Sequence, residues 1–104
     1  TLTPEMEKFL LAIPKVELHV HIEGTLEPNL VFELAKRNNV KLPFESANAL
    51  SKAYQFENLQ SFLDLYYQSC AVLQTKQDFY DMTMAYLRRS QKDNLAHVEM
   101  FVDP

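Results

Sequence analysis

Glycine is almost missing: Gly24 stands alone in 104 residues. An independent small α/β domain uses several glycines at tight turns and helix ends. The scarcity therefore predicts a mainly helical piece with few tight turns. Cys70 is the single cysteine, which excludes an internal disulfide framework and suits a reducing compartment, the cytoplasm by default. A long hydrophobic run is missing as well. Phe9-Leu10-Leu11-Ala12-Ile13 is too short to span a membrane, and it follows Glu5 and Glu7 rather than a basic flank, so it reads neither as an anchor nor as a signal peptide. Clustered positive charge is absent: 10 Lys and Arg stand scattered against 14 Asp and Glu, for a net charge of −4. A polyanion-binding surface needs the opposite pattern, so nucleic acid is not an expected partner. There is no Gly-rich phosphate loop, no Gly-X-Ser-X-Gly and no Cys-X-X-Cys. What is present is ordinary for a globular chain, with 47% hydrophobic and 23% charged residues, and this excludes a disordered tail.

One stretch organises the rest. In Lys15-Val16-Glu17-Leu18-His19-Val20-His21-Ile22-Glu23-Gly24, apolar Val16, Leu18, Val20 and Ile22 alternate with Glu17, His19, His21 and Glu23. Period-2 alternation is the signature of a strand, expected over about 15–22. His19 and His21 then project from one face, with backbones roughly 6–7 Å apart along the strand. Two imidazoles at that spacing can converge on one cation. They can equally be two solvated or hydrogen-bonded histidines, but four apolar residues on the other face predict a packed strand, and packing two histidines and two carboxylates without partners or a metal is costly. Gly24 is expected to let the chain turn, leaving the histidines at the strand's carboxyl end.

Around this strand the pattern is helical. Thr3-Pro4 opens a short helix with Met6, Phe9, Leu10 and Ile13 at helical spacing, read as a plug against the strand or as a frayed end. A second helix begins at Pro28 with an apolar stripe of Leu30, Val31, Leu34 and Ala35, and Asn38-Asn39 offers a left-handed stop. Residues 40–56 read as an irregular connection with one short helix near Ser46 to Ala53, long enough to suggest a lid or insertion. Asn58 caps a long helix with Leu59, Phe62, Leu63, Tyr66, Cys70 and Leu73 in a stripe, where Cys70 reads as a buried structural thiol. Thr75-Lys76-Gln77-Asp78 is a capping signature for a further helix, whose last turns hold Arg88, Arg89 and Lys92. Leu95 to Val102 reads as a buried strand, and Asp103-Pro104 ends it. His97 lies near the start of that strand, away from strand ends where chemistry is done, so it is expected to pack or hydrogen-bond rather than ligate metal. Two strands separated by helices are expected to pair in parallel.

Pro14-Lys15-Val16-Glu17-Leu18-His19-Val20-His21-Ile22-Glu23-Gly24-Thr25-Leu26 resembles the first barrel strand of the adenosine/adenine deaminase family of metal-dependent amidohydrolases, and His97-Val98-Glu99-Met100-Phe101-Val102-Asp103-Pro104 resembles its second. The resemblance implies an α/β fold. Residues 1–104 would form the amino-terminal portion of a TIM (β/α)8 barrel, an incomplete domain with two parallel strands and an intervening group of helices. It implies a zinc ion held by His19 and His21 together with a histidine and an aspartate from later strands. The metal lowers the pKa of a water that attacks C6 of a 6-aminopurine, a later glutamate protonates the ring, and ammonia leaves. No catalytic acid or water-orienting residue of that set falls in this chain. The absence of Pro-Cys-X-X-Cys separates it from the zinc site of cytidine deaminases.

Substrate contacts implied by the resemblance are Glu23 and an apolar gate at Leu59, Phe62, Leu63 and Tyr66. Family members acting on adenosine tend to carry Asp at the position of Glu23. Glu, one methylene longer, would enter the ribose space, so the pattern is most like the adenine deaminase branch of purine salvage. An adenosine deaminase, or a relative acting on another adenine derivative, is the alternative within the class; a non-catalytic binding module that keeps the motif is the alternative outside it. Glu23 could instead bond the turn, and the gate residues could simply pack. The expected partners are a small purine and the remainder of the barrel, since eight βα units need about 250 residues. Residues 1–104 alone are therefore expected to release no ammonia from adenine with added zinc and to self-associate in sedimentation. A monomer that deaminates adenine would overturn this.

Overall fold

The computed structural model describes residues 1–103. The elements run α1 (Pro4–Ala12), β1 (Lys15–His21), a 3-10 turn (Ile22–Thr25), α2 (Pro28–Arg37), α3 (Ala47–Lys52), α4 (Leu59–Cys70), α5 (Lys76–Lys92) and β2 (Leu95–Phe101). β1 pairs with β2 in parallel, with His21 opposite Phe101 and irregularities between Lys15 and Val16 and between Glu17 and Val20. Among the described residues no helix is long and apolar enough to cross a membrane.

Local chemistry sets the boundaries. Thr3, Ser46, Asn58 and Thr75 each accept a backbone N–H three residues ahead, and Asn58 and Thr75 complete reciprocal capping boxes with Ser61 and Asp78. Where a chain poor in glycine needs left-handed backbone it uses asparagine: Asn39 has φ 54° and Asn94 φ 58°. Gly24 itself does not have a positive φ. A Cβ there would meet a Tyr66 ring carbon at 3.8 Å, an ordinary contact. The chain turns at this point through 3-10 geometry open to other residues, contrary to the expectation that glycine makes the turn.

The core lies among the helices and the 3-10 turn, not between the strands. Ile22, Leu26, Val31, Leu34, Ala35, Leu50, Leu65, Val72 and Met82 are buried together; each fully buried Leu-sized side chain contributes about 1.5–3 kcal/mol. The strands depart from expectation. Val16 and Leu18 are 58% and 59% exposed and no residue of β2 is buried, so neither strand is packed on both faces. The buried core begins at Ile22, one residue past the end of β1, so neither strand contributes a buried side chain to it. α1 also forms but buries no residue; it is tied to the strand start by Asn94, whose Nδ2 donates to Ala12 O at 2.6 Å. On α4 the buried positions are Leu65 and Ser69, followed by Val72, one step round from the stripe the spacing marked.

A buried carboxylate joins α2 to α5. Asp78 is fully buried. Its Oδ1 accepts from the Arg37 guanidinium, and its Oδ2 accepts from Asn38 at 2.7 Å and from the Gln74 and Thr75 amides at 2.9 and 2.8 Å. Arg37 also donates to Asp81 at 2.7 Å. Burial alone would raise the Asp78 pKa, but Arg37, the two amides and Asn38 outweigh it and hold the carboxyl well below its ordinary range. A depressed carboxyl stabilises the fold above the unfolded value of about 3.9 and loses that contribution as pH falls below it. In the complete protein, Asp78→Ala is expected to cost about 1–3 kcal/mol at neutral pH by leaving these donors unpaired. Its stability should also fall less steeply than wild type on acidification below about pH 4. Denaturant titrations at pH 7 and pH 3 check both.

Candidate active site

β1 delivers both histidines to one face at its carboxyl end. His19 Nε2 and His21 Nε2 lie 3.3 Å apart. Nitrogen ligands about 2.0–2.1 Å from a tetrahedral cation stand about 3.3 Å from one another, so the pair has the spacing of one edge of such a site. Phe101, opposite on β2, braces both rings, with centroids 4.6 Å from His19 and 5.5 Å from His21. Among the described residues no group of three or more His, Cys, Asp or Glu converges to hold a metal ion. The pair could supply two nitrogen donors to one cation.

The histidines open onto a cleft walled by Phe62, Leu63, Tyr66 and Tyr67 from α4 and by Gly24 and Asp103. A second cleft, on the far side of Phe62 and Tyr66, is lined by Glu23, Tyr54, Phe56 and Arg89. Three of the four gate candidates, Phe62, Leu63 and Tyr66, therefore face the histidines, and Phe62 and Tyr66 divide the two clefts. Leu59 is 71% exposed and lines neither. The long connection supplies Tyr54 and Phe56, whose rings continue edge-to-face onto Phe62.

Glu23 is buried, at 5% exposure. Its Oε1 accepts the backbone N–H of Asp103 at 2.9 Å, whereas Oε2 is buried without a partner. Glu23 thus latches the 3-10 turn to the end of β2 and keeps one acceptor free. The turn is held from the other side by Arg89, which donates to Thr25 O at 2.7 Å and pairs with Glu27. Cys70 is half-buried, and burial, then the nearby Glu23 carboxylate, push its thiol up to about 11. It is a thiol, not a thiolate, and a poor nucleophile. His97 sits 3.0 Å from Glu99 Oε2 along β2, as a hydrogen-bonded histidine would.

The sequence pattern assigns no site role to Asp103, Phe101 or Arg89. Asp103 faces His21, with Oδ1 3.4 Å from Nδ1, and its Oδ2 accepts from the Tyr66 hydroxyl at 2.9 Å. Burial, then the bond to Asp103, hold the Tyr66 phenol well above its ordinary pKa, so it stays a donor. The rule that chemistry gathers at the carboxyl ends of barrel strands could have marked Asp103, two residues beyond the end of β2.

The adenosine deaminase family model matches residues 14–104. An adenine deaminase of Vibrio parahaemolyticus is 59% identical over 95% of this chain and 29% of that protein. One from Paraburkholderia xenovorans is 60% identical over 100% of this chain and 29% of that protein. The crystal structure of an adenine deaminase from Arthrobacter aurescens superposes with a TM-score of 0.85 at 56% identity, covering 89% of this chain and 28% of that one. The chain spans under a third of the length of these relatives, and its parallel strands and helices are the amino-terminal portion of a (β/α)8 barrel. With the family model matched across nearly all of its length, from the strand that carries both histidines to the end of β2, the chain belongs to the adenosine deaminase family.

Proposed function

We propose that this chain is the metal-binding opening segment of a zinc-dependent adenine deaminase, which converts adenine to hypoxanthine and ammonia. The observation that carries the reading is the pair of Nε2 atoms 3.3 Å apart at the mouth of an aromatic cleft. The high identity to proteins named adenine deaminases favours adenine over adenosine. Zinc suits two neutral imidazole donors. When bound, such a cation supplies the Lewis acidity that makes water a competent nucleophile at neutral pH.

The chain's own residues do the rest of what this segment contributes. His19 and His21 hold the cation. Phe62, Leu63 and Tyr66 offer a flat purine an apolar wall and exclude bulk water. Glu23, which lines the adjoining cleft beyond Phe62 and Tyr66 with one bare acceptor oxygen, favours a base without its sugar. The general acid and the remaining ligands come from the rest of the barrel, which is the segment's obligate partner. The lone half-buried thiol suits a cytoplasmic location.

Purified complete protein should release ammonia from adenine far faster than from adenosine; the reverse preference would overturn the substrate assignment. His19→Ala and His21→Ala should each lose bound zinc and activity together. Metal analysis by mass spectrometry should register a loss beyond the about 10–100-fold typical of groups that only orient ligands. Glu23→Asp should shift the ratio of kcat/KM values toward adenosine by opening room for ribose. An unchanged ratio would leave Glu23 with its latch to Asp103 alone.

A further inference from the structure

Asp103 stands where three elements meet. Its Oδ1 lies 3.4 Å from His21 Nδ1, at the long end of hydrogen-bond geometry. Its Oδ2 is held by the Tyr66 hydroxyl of α4 at 2.9 Å, and its backbone N–H by Glu23 of the 3-10 turn at 2.9 Å. A carboxylate pinned at these points cannot swing freely. It flanks the His21 ring on the nitrogen that faces away from His19, since the two histidines approach through Nε2. Asp103 is therefore badly placed to join the pair as a ligand and well placed to act through the ring. Neutral imidazole carries one proton, and an anionic acceptor at Nδ1 favours the tautomer that keeps it there. The lone pair is then on Nε2. Phe101, stacked on His21 at 27° between planes, limits ring rotation.

We propose that Asp103 is a positioning residue for His21: it accepts the Nδ1 proton, fixes the tautomer, and leaves Nε2 free to bind a cation beside His19 Nε2. The proposal rests on the reading of His19 and His21 as a metal pair. Tyr66 serves it by holding the second carboxylate oxygen, which gives that side chain a duty besides walling the cleft.

The test uses the complete protein. Its zinc affinity is measured by chelator competition, and the His21 ring protonation by nitrogen-15 spectroscopy of metal-free, 15N-histidine-labelled protein. Asp103→Ala should weaken zinc binding about 10–100-fold. Asp103→Asn should lose less, because its amide oxygen still accepts from Nδ1, and Tyr66→Phe less again. In wild type the proton should sit on Nδ1 of His21; in Asp103→Ala the two tautomers should mix. A purely structural Asp103 would not move the tautomer. Wild-type zinc affinity in Asp103→Ala, with zinc lost in His21→Ala, overturns the proposal and leaves the metal pair standing. Zinc retained at full affinity in both His19→Ala and His21→Ala rejects the pair itself, and the proposal with it. If Asp103→Ala fails to fold, the wild-type spectrum still decides: a His21 proton on Nε2 overturns the assignment.

Discussion

The parallel pairing of Lys15–His21 with Leu95–Phe101 is the constraint on which the rest depends. Parallel strands cannot be joined by a hairpin, so the chain between them must leave the sheet and return. All four helices from α2 to α5 belong to that excursion. The pairing sets Phe101 against the histidine rings and carries Asp103 to the His21 edge. A slip of one residue in β2 would turn Phe101 away from them.

The excursion is made rigid by its own core and by a buried ionic clasp. The apolar cluster runs from Ile22 at the end of β1 through the helices to Met82. Asp78 adds specificity at the join of α2 and α5: its two oxygens satisfy the guanidinium of Arg37, the amide of Asn38 and two backbone amides at once. A carboxylate so fully partnered tolerates burial that would otherwise neutralise it. α4, in the same excursion, presents Phe62, Leu63 and Tyr66 toward the histidines. Val16, Leu18 and most of β2 stay exposed because the buried core starts only past the end of β1. These apolar strand faces fit a barrel whose further strands and helices lie outside the residues described.

The site is thus a junction rather than a motif. β1 supplies the imidazoles, β2 the bracing ring, the segment just past β2 the carboxylate, α4 the aromatic wall and the hydroxyl, and the 3-10 turn the latch. Arg89 connects α5 to that turn and so couples the longest helix to the position of Glu23.

By itself the sequence determined what depends on near neighbours. Alternation marked β1 and put His19 and His21 on one face. Thr3, Ser46, Asn58 and Thr75 marked the helix starts, and Asn39 the left-handed stop. Strand, helices, strand implied the parallel pair. These signals act over a few residues, through backbone geometry and side-chain caps, and no partner elsewhere can mask them. Only the tertiary structure decided what depends on distant ones. His21 meets Asp103 across 82 positions, Arg37 meets Asp78 across 41, and Arg89 meets Thr25 across 64. It also decided that Leu65, Ser69 and Val72, rather than the more apolar stripe of Phe62 and Tyr66, face the core. Periodicity tells which residues share a helix face; which face is buried is set by the layer it packs against, and that layer is made of residues far along the chain.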